Sequence, residues 1–175
     1  MEPEVTNSQI RLLVLDVDGV LTDGTILIDE AGRQYRRFHI QDGLGVSMWR
    51  AIGHEVAILT SKQSESVTAR AKMLGIELVE QGKEDKLPGL QRLLTAVKVT
   101  PEQTAYVGDD LLDAAAMRQV GYPIAVANAA DEIKKIARYI TVRIGGQGAV
   151  RETVEHLLKR ENLWSKALNA IGADR

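Results

Sequence analysis

Strand-length apolar runs alternate with helix-period segments along nearly the whole chain, and the main runs end on residues able to carry chemistry. Ile10–Leu15 reads as the first strand and runs straight into Asp16-Val17-Asp18-Gly19. Glu55–Leu59 ends at Thr60-Ser61, Ile76–Val79 is followed by Lys86, and Ala105-Tyr106-Val107-Gly108 ends at Asp109-Asp110. Ile124–Ala127 and Tyr139–Val142 read as further strands. Helical segments are expected from Asp42, as a cap, to about Ile52, over about Ser64–Leu74, and over Lys86–Val97, Leu111–Val120 and Asp131–Arg138. Two more are expected over about Ala149–Arg160 and Leu163–Ile171. This alternation predicts an α/β fold with a doubly wound, mostly parallel sheet and helices on both faces. Thr25–Ile28 and Gln34–Ile40 flank the glycine-bearing turn 29–33 and predict one β-hairpin insertion.

A chain of 175 residues is expected to form one domain, 1–175, with the hairpin at about 25–40 and a glycine loop and helical tail at about 145–175. With no cysteine, disulfides and thiolate metal sites are excluded. A net charge of −2 and one Phe, four Tyr and two Trp give no case for a nucleic-acid partner. No apolar run is long enough to span a membrane, and the polar start Met1–Ser8 has no basic-plus-apolar signal segment. A cytoplasmic enzyme or binding domain is expected.

In a parallel sheet all strand carboxyl ends open on one edge, where active sites of open α/β sheets lie. Asp16 and Asp18, at i and i+2, share one side of the strand end. Two converging carboxylates call for a cation, and a hard cation such as Mg²⁺ takes oxygen ligands. With Thr60/Ser61, Lys86 and Asp109/Asp110/Asp113 the edge gathers three or more carboxylates, one hydroxyl and one ammonium. That set suits phosphoryl transfer: a carboxylate nucleophile, charge neutralisation on the phosphoryl oxygens, and Asp18 as acid and then base. Lys83 competes with Lys86 for the ammonium role, and Asp110 is also placed to cap the helix after it. Asp23 reads as a turn residue. His39, His54 and His156 have no metal-ligand spacing. Of Arg36 and Arg37, which alternate, at most one should face a site.

The ordered segments Asp16-Val17-Asp18-Gly19-Val20-Leu21-Thr22, Thr60, Lys86 and Gly108-Asp109-Asp110-Leu111-Leu112-Asp113 resemble the four motifs of the haloacid dehalogenase (HAD) phosphatases. The resemblance covers about the whole chain. It implies Asp16 as nucleophile, Asp18 as acid/base with its carbonyl on Mg²⁺, and Thr60 and Lys86 on the phosphoryl group. Asp109 would be the remaining metal carboxylate, with Asp110 and Asp113 in support.

The hairpin, Phe38-His39-Ile40-Gln41-Asp42-Gly43 and Gly145-Gly146-Gln147-Gly148-Ala149-Val150-Arg151-Glu152 are similar to the 3-deoxy-D-manno-octulosonate 8-phosphate (KDO 8-phosphate) phosphatases. That resemblance implies no cap domain, a homotetramer with active sites at subunit interfaces, and a phosphorylated sugar-acid substrate. Ser61, Lys62, Gly146 and Arg151 are the candidate substrate contacts. The chain departs from the group in reading Thr60-Ser61-Lys62 where Thr-Gly-Arg is usual, and in its tail Glu161–Arg175. A nine-carbon (Kdn-type) 9-phosphate is the alternative substrate, and a non-hydrolytic phospho-receiver the alternative class. Receivers lack a catalytic acid in the place of Asp18.

Overall fold

The computed structural model describes residues 9–174; the start Met1–Ser8 and the final Arg175 lie outside the described residues. Six parallel strands form the central sheet, and a separate antiparallel pair forms the hairpin. In chain order the strands are β1 (Leu12–Leu15), β2 (Leu27–Ile28), β3 (Gln34–Tyr35), β4 (Glu55–Thr60), β5 (Leu78–Gln81), β6 (Thr104–Gly108), β7 (Tyr122–Ala125) and β8 (Tyr139–Ile140). The helices are α1 (Ile40–Ala51), α2 (Glu65–Met73), α3 (Leu87–Val97), α4 (Ala114–Met117), α5 (Asp131–Ile136), α6 (Ala149–Arg160) and α7 (Trp164–Ala170). The sheet order is β5-β4-β1-β6-β7-β8. Every residue of β1 is buried, as expected of a central strand covered on both faces. Helices α1, α6 and α7 pack together, whereas α3, α4 and α5 form another group of neighbours.

Several boundaries differ from the sequence expectation, for local reasons. The hairpin pairs only Leu27 with Tyr35 and Ile28 with Gln34. Helix α1 begins at Ile40, so Asp42 lies inside its first turn and does not cap it. Strand β5 lies two residues later than read: it is an edge strand, half-buried throughout, so polarity does not mark its end. Strand β7 starts two residues earlier and includes Pro123. The Pro123 carbonyl accepts from Arg138 N–H at 2.8 Å on the β8 side, before β8 pairing begins at Tyr139. A proline's missing donor costs little at such a position. The helix expected over Leu111–Val120 is a tight turn at Leu111–Asp113 followed by the four-residue α4. Among the described residues no helix is long and apolar enough to cross a membrane.

Asp42 caps a different helix from the one expected. Helix α6 starts after Gly148, which has no side chain to offer, and Asp42 Oδ1 accepts the Arg151 N–H at 2.8 Å. A carboxylate there satisfies an orphan donor and faces the positive helix end. Glu152 closes the other side of the same junction, accepting from Tyr139 Oη (2.8 Å), Val142 N (2.7 Å) and Arg143 N (2.8 Å). Asp42→Ala is therefore expected to destabilise the protein by about 1 kcal/mol. In a thermal melt this is a drop of roughly 2–4 °C.

The three histidines lie apart. His156 stacks on Tyr139 at 3.7 Å and shares a 2.8 Å hydrogen bond with Tyr122 Oη, pinning α6 to the sheet. His54 meets the Trp49 ring edge at 4.6 Å. Both are structural, as the sequence suggested. Trp164 and Leu168 pack against the apolar core.

Candidate active site

Strands β1 and β6 are neighbours, and the sheet grows outward from them in opposite directions. Their carboxyl ends form the switch point at which open α/β sheets bind ligands. Asp16 follows β1 directly, and its N–H donates to Val107 O of β6 at 3.1 Å. Asp109 follows β6. Thr60 closes the neighbouring β4, buried, and its carbonyl accepts from Gly82 N–H at 3.2 Å.

A buried ionic chain lies across this switch point. Lys86 Nζ donates to Asp16 Oδ1 at 2.8 Å and to Asp113 Oδ1 at 2.5 Å. Tyr106 Oη also donates to Asp113 Oδ1, at 2.7 Å. Asp113 Oδ2 accepts the backbone N–H groups of Asp109 (3.0 Å) and Asp110 (3.3 Å). Both Asp113 oxygens are thus engaged, and Asp113 orients Lys86 and the turn carrying Asp109. Asp110 Oδ1 accepts from Leu111 N–H at 2.7 Å and caps that turn.

Asp16, Asp109 and Asp113 bring carboxylate oxygens within 4.8 Å of one another. Asp109 Oδ1 is buried without a hydrogen-bond partner. Burial, then Asp113, push Asp16 up to about 6 against the lowering effect of Lys86. Burial, then the charges of Asp16, Asp113 and Asp110, push Asp109 up to about 8. Burial opposes the charge on Lys86, but Asp16 and Asp113 outweigh it and raise its pKa. Three carboxylates against one ammonium leave negative charge uncompensated in a buried place. A divalent cation between Asp16 and the orphan Asp109 oxygen fits that deficit and the all-oxygen donor set. Asp113, with both oxygens in use, is the outer member of the cluster.

The loop after β1 is shaped for close approach. Thr22, buried, accepts at Oγ1 from Gly19 N–H (3.3 Å) and Gly24 N–H (3.2 Å) and donates to Val17 O (3.3 Å). Gly19 sits at φ +90°, where a Cβ would come within 1.9 Å of Asp109 Oδ2. Only glycine lets this loop press on Asp109. The glycine loop after β8 packs on the same segment of its own chain. A Cβ on Gly145 would lie 1.6 Å from Gly19 O, and Gly146, at φ +67°, donates its N–H to Val20 O at 2.9 Å.

The remaining sequence candidates sit differently. Asp18 is held by Arg36 in a two-pronged pair, Nε to Oδ1 at 2.7 Å and Nη2 to Oδ2 at 3.2 Å. Arg37 is exposed and pairs with Asp23. Asp23 Oδ1 also accepts from Thr25 N–H at 2.9 Å, a turn role as expected. Ser61 is half-buried and Lys62 exposed in the bend after β4. Arg151 gives its guanidinium to Glu155, one turn along α6, at 2.8 Å; its backbone N–H goes to Asp42. Arg151 and Lys62 are not joined to the carboxylate cluster by hydrogen bonds. Sequence reasoning missed Tyr106, Thr22 and the Arg36 pair. Tyr106 carried a usable signal: a tyrosine inside a fully apolar strand needs a buried partner for its hydroxyl. A cavity of about 410 Å³ beside Arg11, Arg50 and Glu55 lies at the opposite, amino-terminal edge of the sheet, away from the carboxylate cluster.

Residues 49–150 match the model of the haloacid dehalogenase-like hydrolases. The chain belongs to the haloacid dehalogenase-like hydrolase family. Within it, the chain is 43% identical over 149 residues to the 3-deoxy-D-manno-octulosonate 8-phosphate phosphatase of Escherichia coli K12, covering 85% of this chain and 79% of that one. The Yersinia pestis protein of the same name is 41% identical over 151 residues, covering 86% and 81%. Among solved structures, the Moraxella catarrhalis 3-deoxy-D-manno-octulosonate 8-phosphate phosphatase, crystallised with a magnesium ion, a phosphate ion and KDO, superposes with a TM-score of 0.89. It is 38% identical, and the match covers 94% of each chain. With the family match and relatives named as phosphatases at 41–43% identity, this chain is an enzyme of the phosphoric monoester hydrolase class, on the sheet the sequence predicted. Only one helical turn (Val17–Leu21) and the hairpin lie between β1 and α1, so no cap domain is inserted there.

Proposed function

We propose that this hydrolase cleaves the phosphate monoester of a 3-deoxy-2-ulosonic sugar acid, with KDO 8-phosphate as the preferred substrate, in a Mg²⁺-dependent reaction. The observation that carries the chemistry is Asp16, buried at the switch point and fixed by Lys86, next to an Asp109 oxygen that no protein group satisfies. Support for the substrate comes from the named relatives, at about two fifths identity over most of their length.

The chain's own groups divide the work. An Asp16 oxygen attacks phosphorus, and the bond from phosphorus to the sugar oxygen breaks with its electron pair on that oxygen. Asp18 gives the leaving oxygen a proton. The same carboxylate, now ionised, takes a proton from water as the water oxygen attacks the aspartyl-phosphate. Asp16 and inorganic phosphate are released. Lys86 holds Asp16 in line, and Thr60 and Lys86 receive the phosphoryl oxygens. Asp16, Asp109 and the Asp18 carbonyl would hold Mg²⁺, which when bound neutralises charge on the phosphoryl oxygens.

A homotetramer, in the cytoplasm, completes the proposal. Leu27 and Ile28 on the hairpin are 56% and 66% exposed, and Tyr35, paired with Leu27, is exposed too. An apolar two-stranded hairpin is unstable alone in water and gains by pairing with copies of itself. The site edge carries further exposed apolar side chains, Ile40 and Val142. Cover from a neighbouring subunit would keep bulk water from the phosphoryl-enzyme.

The test is phosphate release from a panel of KDO 8-phosphate, a nine-carbon sugar-acid 9-phosphate and simple hexose phosphates. Each is run with Mg²⁺ and again with excess chelator. KDO 8-phosphate should give the highest kcat/KM, and chelator should abolish release. A nine-carbon acid ranking first would replace the named substrate, and release that persists in chelator would remove the metal.

A further inference from the structure

The hairpin does more than offer an apolar surface. Arg36 lies just beyond its last paired residue, Tyr35, and its side chain is 1% exposed while that of its partner Asp18 is 24% exposed. The guanidinium uses three nitrogens at once. Nε and Nη2 take the two Asp18 oxygens, and Nη1 donates to Ser64 Oγ at 2.9 Å. Ser64 is itself fixed: its N–H donates to Gln81 Oε1 at 3.0 Å, and its hydroxyl meets Ser66 Oγ at 2.8 Å. Gln81 ends β5. One buried side chain therefore ties the hairpin to the loop after β1 and to the start of α2.

The hairpin has little else to place it. Its ladder is two residue pairs long, below what stands alone in water. Arg37 adds a second tie, to Asp23, at the far end of the same loop. The planar guanidinium fork sets both the distance and the plane of the ionised carboxylate, which a single ammonium cannot do; when Asp18 holds the proton it gives up one of the two prongs and keeps the other. A group that shuttles a proton must keep its oxygens within hydrogen-bond reach of the reacting oxygen.

We propose that Arg36 is a positioning residue that couples the hairpin's seat to the orientation of Asp18, an inference that rests on the phosphatase assignment above. Correct docking of the hairpin then aims the proton carrier, and a displaced hairpin leaves the nucleophile intact while the acid is misdirected.

Leaving-group dependence separates this role from a merely structural one. A sugar oxygen leaves poorly without a proton, whereas p-nitrophenolate leaves without help. Arg36→Ala should lower the ratio of kcat on a sugar phosphate to kcat on p-nitrophenyl phosphate by about 10–100-fold, part of what a general acid contributes. Arg36→Lys should recover only part of that ratio. Equal losses on both esters, or no loss on either, overturn the proposal. A second measurement needs no turnover. Amide hydrogen exchange over residues 25–38 should quicken in Arg36→Ala and in Asp18→Ala, and the double variant should exchange no faster than the quicker single one. Unchanged exchange, or additive effects, also overturn it. Should the wild type hydrolyse neither ester, the phosphatase assignment fails together with the catalytic half of the proposal, and the exchange result still decides whether Arg36 and Asp18 seat the hairpin together.

Discussion

Asp16→Asn is expected to lower phosphate release by at least about 10⁴-fold, the scale of removing a covalent nucleophile. The fold should survive, because Lys86 keeps Asp113 as a partner and an amide keeps the side chain's shape. The variant should even gain stability near pH 7 in metal-free buffer. Burial first, then Asp113, hold the Asp16 carboxyl at about 6, above its ordinary 3.8. The folded state therefore binds more protons than the unfolded chain between about pH 4 and 6. The stability that this group contributes is full below pH 4 and is lost as pH rises through 6. Asparagine has no such loss. Melting curves at pH 4 and pH 7 should show the wild type falling relative to Asp16→Asn on going to the higher pH. A variant that is inactive because it is unfolded would show no cooperative melt at either pH.

Lys86→Met is expected to cost both stability and turnover. Lys86 is buried and is the cation in hydrogen-bond contact with both Asp16 and Asp113. Removing it leaves two buried carboxylates facing each other, with Tyr106 still on one of them. Breaking a buried ionic set by deleting one member costs about 3–5 kcal/mol. For a chain of this length that is a fall in Tm of roughly 10 °C. The loss of a positive charge from the phosphoryl site should lower kcat by about 10²–10³ as well. The two variants form a contrast. Asp16→Asn gives a stable, inactive protein, and Lys86→Met an unstable and slow one.

The carboxyl-end residues are legible in the sequence because a run such as Leu13-Val14-Leu15 can only be a buried strand, and the residues just after it must stand on one edge of the sheet. Pattern alone puts Asp16, Thr60 and Asp109 on that edge and leaves the ammonium between Lys83 and Lys86; the contact with Asp16 decides for Lys86. The features that depend on long-range contact are not legible. Arg36 and Arg37 can be read as alternating, but nothing local says that the buried one reaches Asp18. Asp42 has the look of a cap for its own helix; it caps α6, more than a hundred residues on, because Gly148 offers no side chain. The glycine loop has the composition of a flap, and in this chain its backbone packs on the loop that carries Gly19. Arg151, expected as a substrate contact, spends its guanidinium on Glu155. Charged side chains with an i, i+4 partner on their own helix have a local alternative that motif reading does not weigh.

The covalent step on Asp16 can be caught directly. The wild-type enzyme, in rapid turnover on its best sugar-acid phosphate, is quenched in acid, reduced with borohydride and digested. An acyl phosphate on aspartate becomes homoserine, visible as a mass change in the peptide that contains residue 16. The expected result is homoserine at position 16, absent in Asp16→Asn and absent without substrate. Homoserine at another aspartate, or full turnover with Asp16 unmodified at every quench time, would contradict it.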